Sequence, residues 1–120
     1  MDAIEFLKSA TEILKNNKEV DYRNATSRAY YCAYHKAKNL VETQFKQDKI
    51  SSGASHEKII KTLQAEKNKQ FKSIGNKLND LKRFRTDADY KLDETFSIQD
   101  AKSVVQRASK LVQEIEQLSQ

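Results

Sequence analysis

Residues 21–45 read DYRNATSRAYYCAYHKAKNLVETQF, and this stretch decides the fold. Tyr22, Ala25, Ala29, Cys32, Ala33, Ala37 and Leu40 share one side at ~100° per residue, so the pattern predicts one long helix over residues 21–45, with Asp21 as its N-cap. The inward face is built of small residues. Alanines at that spacing let a neighbouring helix approach closely, which places this helix at the centre of a bundle. The surrounding chain has 120 residues, no proline and two glycines, so almost every helix breaker is missing. That length suits about one domain with a substantial core, and we expect a single all-α domain over residues 1–120, an up-and-down bundle of four or five helices. Sandwiches, barrels and doubly wound α/β folds are excluded by the same composition.

The flanking segments fit that bundle. In residues 2–16, Ala3, Leu7, Ala10 and Leu14 stand four, three and four apart, widened by Phe6 and Ile13, and Asn16 and Asn17 end the helix. The stretch KQDKISSGAS, residues 46–55, reads as a loop, after which Ser55 caps a short helix over residues 55–66 with Ile59, Ile60 and Leu63 inward. Residues 67–70 are a polar boundary before a fourth helix over residues 71–90, whose stripe is Ile74, Leu78 and Leu81. Ser97 opens a fifth helix, with Asp100 at the capping-box position. Its seam, Ala101, Val104, Ala108, Leu111, Ile115 and Leu118, is long enough to pack along the bundle or against a second copy.

Charge is unevenly spread. The net +5 comes from residues 55–91, where ten Lys or Arg face five acids, while residues 1–54 carry +2 and residues 92–120 carry −2. Such a middle can meet a phosphate backbone, or it can serve as a solvated, solubilising face. Cys32 is the single cysteine, so an internal disulfide is excluded; on the small-residue face it reads as an inert core thiol in a reducing compartment. No apolar run reaches ~18 residues and the start has no basic segment before an apolar one, so the expected location is cytoplasmic, away from membranes. The two histidines, His35 and His56, lie 21 positions apart with no metal-ligand spacing, and there is no glycine-rich phosphate loop; no metal and no cofactor are expected. His56, one residue after a cap, reads as a surface or capping histidine.

Two places carry polar residues in patterned positions. Asn24, Arg28, Tyr31 and His35 fall four, three and four apart on the second helix, within an arc of roughly 60° nearly opposite the alanines. An amide, a guanidinium, a phenol and an imidazole can all hydrogen-bond to or stack on a nucleotide; they can equally bond to neighbouring helices or fill a homodimer interface. Tyr30 and Tyr34 flank the strip and are expected to pack where it meets the bundle. On the fourth helix the apolar stripe, continued one turn, lands on Arg85 and then Asp89. An ion pair where leucine would fit is either a device that fixes the helix end or an arginine held for phosphate by Asp89, with the Tyr90 hydroxyl nearby.

Taken in order, Ser27-Arg28-Ala29-Tyr30-Tyr31-Cys32-Ala33-Tyr34-His35, then Ser55-His56-Glu57, then Arg85-x-x-Ala88-Asp89-Tyr90 and the closing Phe96-Ser97 resemble a small stand-alone HEPN-domain protein along nearly the whole chain. The resemblance implies a helical bundle, often a homodimer, in a superfamily of ribonucleases, toxins of toxin–antitoxin pairs and non-catalytic nucleotide- or RNA-binding members, many encoded beside a minimal nucleotidyltransferase. Catalytic members carry Arg, four to six residues and then His in the late helix. Here the residues after Arg85 include Asp87, Ala88 and Asp89 and no histidine follows His56, while Arg28 and His35 have the spacing but stand in the second helix. A carboxylate beside an arginine is a poor general acid, which argues against metal-free RNA cleavage. The resemblance therefore implies a non-catalytic module in which Asn24, Arg28, Tyr31, His35, Arg85, Asp89 and Tyr90 hold a nucleotide or RNA or dock a nucleotidyltransferase. Two alternatives stay open: a divergent metal-independent endoribonuclease using His35 with Arg28 or Arg85, and a helical dimer scaffold that touches no nucleic acid.

Overall fold

The computed structural model describes residues 1–45 and 55–119, and all regular structure among them is helical. The loop expected over residues 46–55 falls, but for Ser55, outside the described residues. Five helices form: α1 (Ile4–Ile13), α2 (Glu19–Gln44), α3 (His56–Gln64), α4 (Lys69–Tyr90) and α5 (Ile98–Leu118). α1 ends in a 3-10 turn over Leu14–Asn16, and Asn17 then takes the left-handed conformation (φ 57°) that asparagine tolerates better than most residues.

Helix starts differ from the sequence expectation in three places, the first being α1, which begins at Ile4 and not at residue 2. α2 begins two residues before Asp21, which sits with Glu19 in the first turn, where carboxylates face the positive end of the helix dipole. α4 begins at Lys69, because the Asn68 side chain accepts from the backbone N–H groups of Gln70 and Phe71 and caps the helix earlier than Phe71. Ser55 and Ser97 cap α3 and α5 as expected, accepting from the N–H groups of Lys58 and Asp100.

α2 is the central helix and packs against each of the other four. Pairs across it set the directions: Lys36 with Asp2 and Arg28 with Ser9 make α1 antiparallel, Arg23 with Lys91 and Tyr30 with Arg85 make α4 antiparallel, and Lys36 with Glu116 and Gln44 with Leu118 make α5 parallel. Thus α1, α2, α4 and α5 run up, down, up, down, with short α3 laid antiparallel against α4. The alanines of α2, at 0 % exposure, let α5 lie close along it. Ala101, Val104, Ala108, Leu111 and Ile115 are buried within this chain, so of the two uses open to the α5 seam, packing along the bundle is the one realised. Cys32 is buried too, and burial pushes its thiol up to about 11; Lys36, one turn on, acts in the opposite direction but is outweighed.

Arg23 is the largest departure from the pattern. It is only 7 % exposed, and its guanidinium donates to the carbonyls of Ala88 (2.9 Å), Lys91 (3.1 Å), Asp87 (3.4 Å) and Glu94, closing the end of α4 and the turn after it. Glu19 pairs with it at 3.5 Å and accepts from the Phe96 N–H. Arg23 thus supplies the C-terminal capping that α4, with no basic residue in its last turn, lacks. Ala88, Phe96 and Ala101 form a small second core beside it. This anchors the α4 end that carries Arg85 and Asp89.

Candidate anion and base binding face

Where α2, α3 and α4 meet, aromatic rings gather around one imidazole and one guanidinium. α2 contributes Tyr30, Tyr31, Tyr34 and His35; α3 contributes its first residue, His56; α4 contributes Arg85 and Asp89. The His56 ring stacks on Tyr34, with centroids 3.7 Å apart and planes 10° apart, and meets Tyr31 edge-on at 5.9 Å. Its Nδ1 lies 2.7 Å from the Tyr30 hydroxyl.

That hydrogen bond fixes the tautomer. Tyr30 is 0 % exposed and its hydroxyl has no other partner among the described residues, so its proton is satisfied by donation to Nδ1. Burial also raises the Tyr30 pKa well above the usual phenol value, against the pull of Arg85, so the phenol keeps that proton. His56 therefore carries its own proton on Nε2. Its pKa is pushed below the usual 6.5, first by burial and then by Arg85, Lys82, His35 and Lys38 around it. At neutral pH it is an uncharged donor with no free ring lone pair.

Arg85 lies over the rings of Tyr30 and Tyr31, 5.4 and 5.8 Å from their centroids. Asp89 accepts from its Nη1 at 3.4 Å and from the Ser27 hydroxyl at the same distance. Nε is buried and has no hydrogen-bond partner among the described residues. In a guanidinium the Nε–Nη2 edge forms a fork that takes a phosphate or carboxylate, and Asp89 occupies the other side.

The expected site residues divide accordingly. The structure brings Tyr31, Arg85 and Asp89 together; His35 is exposed, meets Tyr34 edge-on and stacks on Phe6 of α1 at 5.8 Å and 7°. Arg28 is drawn to α1, where it donates to Ser9. Asn24 is exposed two turns from Tyr31. Tyr90 is 71 % exposed, and among the described residues no hydrogen bond ties its hydroxyl to the Arg85–Asp89 pair. Tyr30 and Tyr34 pack at the boundary of the strip, as expected, and also hold His56. His56 corrects the reading of a surface or capping histidine: it is half-buried and bonded into the cluster. Its only signal in the sequence was its place beside an N-cap, since its partners stand 22 and 26 residues earlier. Among the described residues no group of three or more His, Cys, Asp or Glu side chains could hold a metal ion, and no helix is long and apolar enough to cross a membrane.

Comparison with protein families matches the chain over residues 2–118 to the HEPN domain. No curated protein and no solved structure matches it.

Proposed function

Because the chain belongs to the HEPN domain family, we propose that it is a non-catalytic module that binds RNA or a nucleotide through the face around Arg85 and His56. The observation that carries this reading is Arg85: a guanidinium stacked on two tyrosines and held by Asp89. A phosphate would pair with the part of the Arg85 side chain that stays exposed, 14 %, and Lys82 and Lys38 would add positive potential beside it. Exposed His35 on Phe6, with half-buried Tyr31, offers stacking surface for a base. Cavities of about 340–410 Å³ lie on the α4–α5 side, and none of these is lined by Arg85 or His56, which favours an extended single strand over an enclosed mononucleotide.

A homodimer belongs to the same proposal. Val20, Tyr90 and Leu92 are exposed at 59, 71 and 72 % on the joined ends of α2 and α4, near Asp89, and a second copy would cover them there. Placement in a toxin–antitoxin or nucleotidyltransferase-linked system remains what family membership makes natural, with no residue of this chain specific to it.

Endoribonuclease action is a second reading, favoured by the two imidazoles that flank the Tyr34 ring, His35 edge-on at 5.3 Å and His56 stacked on it. Metal-free cleavage needs a base and an acid. His56, with Nδ1 engaged and Nε2 protonated, is no base, and Arg28 is tied to Ser9. The binding reading is therefore preferred.

Fluorescence anisotropy with labelled single-stranded RNA, with the free nucleotide as competitor, tests it. Arg85→Ala should weaken RNA binding about tenfold, and three phosphate contacts predict a slope of about −2 for log K against log salt. Affinity unchanged by Arg85→Ala, in a variant whose helicity is intact, would remove this face from the function.

A further inference from the structure

His56 and Arg85 rest on the same two rings. The imidazole lies 5.5 Å from the Tyr30 centroid and meets Tyr31 edge-on at 5.9 Å, besides its close stack on Tyr34. The guanidinium lies 5.4 and 5.8 Å from the centroids of the same Tyr30 and Tyr31. Two groups able to carry positive charge, one from the first residue of α3 and one from α4, are thus held against one pair of tyrosines on α2. An arginine keeps its charge throughout the range in which proteins fold, so only the imidazole can give way.

Among the described residues, the other groups around the imidazole offer it no counter-charge. Lys38, exposed His35 and the phenols of Tyr30, Tyr31 and Tyr34 face it from α2, and Lys82 faces it from α4 beside Arg85. The carboxylates near these residues are engaged: Asp89 by Arg85 and Ser27, Glu57 of α3 by Lys61 at 3.0 Å, Glu42 by Lys38 at 3.8 Å. Burial, and then this ring of cations, keeps the imidazole neutral. A phosphate changes the balance. Paired with the exposed part of Arg85, it brings negative charge among the cations and offsets their repulsion of a second proton on His56. Turning the Tyr30 hydroxyl away from Nδ1 costs the same with RNA bound or absent, so it holds the proton off in both states and leaves the difference between them. Linkage is reciprocal: what helps the proton helps the phosphate by the same factor.

We propose that RNA binding at the Arg85 face is coupled to protonation of His56, so that the complex takes up a proton and tightens as pH falls. The coupling rests on the binding function proposed above. In the free protein the imidazole titrates below 6.5, so affinity is level at high pH and rises where the bound protein begins to take up its proton. It levels again below the value of the free protein, and each unit by which RNA raises that value is a gain of about tenfold.

The chain has two histidines, and histidine is the one side chain whose ordinary value falls in this window, so two substitutions isolate the effect. Anisotropy with labelled oligouridylate, whose bases do not titrate there, is followed from about pH 7.5 to about pH 5.5 at fixed salt, with circular dichroism confirming helicity. Affinity should rise at least about threefold in the wild type and in His35→Gln, and stay level when His35→Gln is combined with His56→Gln. NMR titration of the ring protons, which needs no variant, should place the His56 transition higher in the complex than in the free protein. Affinity that is level or falls with acid, a rise that survives loss of His56, or a His56 transition that RNA leaves in place overturns the coupling. In any of those cases, RNA bound at about pH 7.5 and weakened by Arg85→Ala leaves the binding function standing without the coupling. No binding at any pH removes both.

Discussion

Tyr30 and His56 are joined by one hydrogen bond that does two things at the scale of single residues. It satisfies a buried phenol, and it holds the imidazole in its neutral form as an Nε2 donor. Arg85→Ala removes the strongest of the cations that hold the ring neutral, so the His56 pKa should rise toward 6.5, read by NMR titration of its ring protons. The sign for stability follows from the same shift. His56 binds its proton less readily folded than unfolded, so its contribution is complete above pH 6.5. It falls as pH drops through 6.5, where the unfolded chain takes up a proton that the folded chain does not, and the fall ends below the folded pKa. Urea denaturation across that window should show this loss in the wild type and not in His56→Gln. Protonation would also break the arrangement at Nδ1, leaving the Tyr30 proton without an acceptor.

Between elements, the close approach of α3 and α4 sets where His56 meets Arg85. Gly75 makes it possible: a Cβ there would lie 2.9 Å from the Gln64 backbone nitrogen and 3.0 Å from Leu63 Cβ. Gly75→Ala gains ~1 kcal/mol of helix propensity and should still destabilise by about 1–2 kcal/mol net, because the obstruction is backbone. Thermal denaturation by circular dichroism checks this, and a rise in Tm would contradict it. The elements themselves were largely legible in the sequence. Apolar periodicity marked all five helices, the alanine face marked α2 as central, and Ser55 and Ser97 marked two starts; Asp21 misled because a good N-cap residue serves equally well in a first turn. The site was half legible. Tyr31, His35, Arg85 and Asp89 stood out by spacing along their own helices, whereas His56 and Arg23 act through residues 22 to 71 positions away, and no periodicity within one helix carries that information.

For the molecule as a whole, the α5 seam separates the readings. Leu111 and Ile115 are 1 % exposed inside one chain, so they are not free to join two. Leu111→Glu should therefore unfold the protein, with helicity lost by circular dichroism, rather than release folded monomers; a folded monomeric variant in sedimentation would restore the scaffold reading. With the seam used internally, the Arg85 cluster where α4 meets α2 and α3 carries the central claim, that this face binds RNA and leaves it whole. The most direct test incubates labelled mixed-sequence RNA with the protein in EDTA and reads one sample by anisotropy and then on a denaturing gel, wild type beside Arg85→Ala and His35→Ala. Raised anisotropy with intact RNA in the wild type, lost in Arg85→Ala, is the predicted result. Cleavage by the wild type that His35→Ala abolishes with the fold retained would contradict the account and make this chain a ribonuclease.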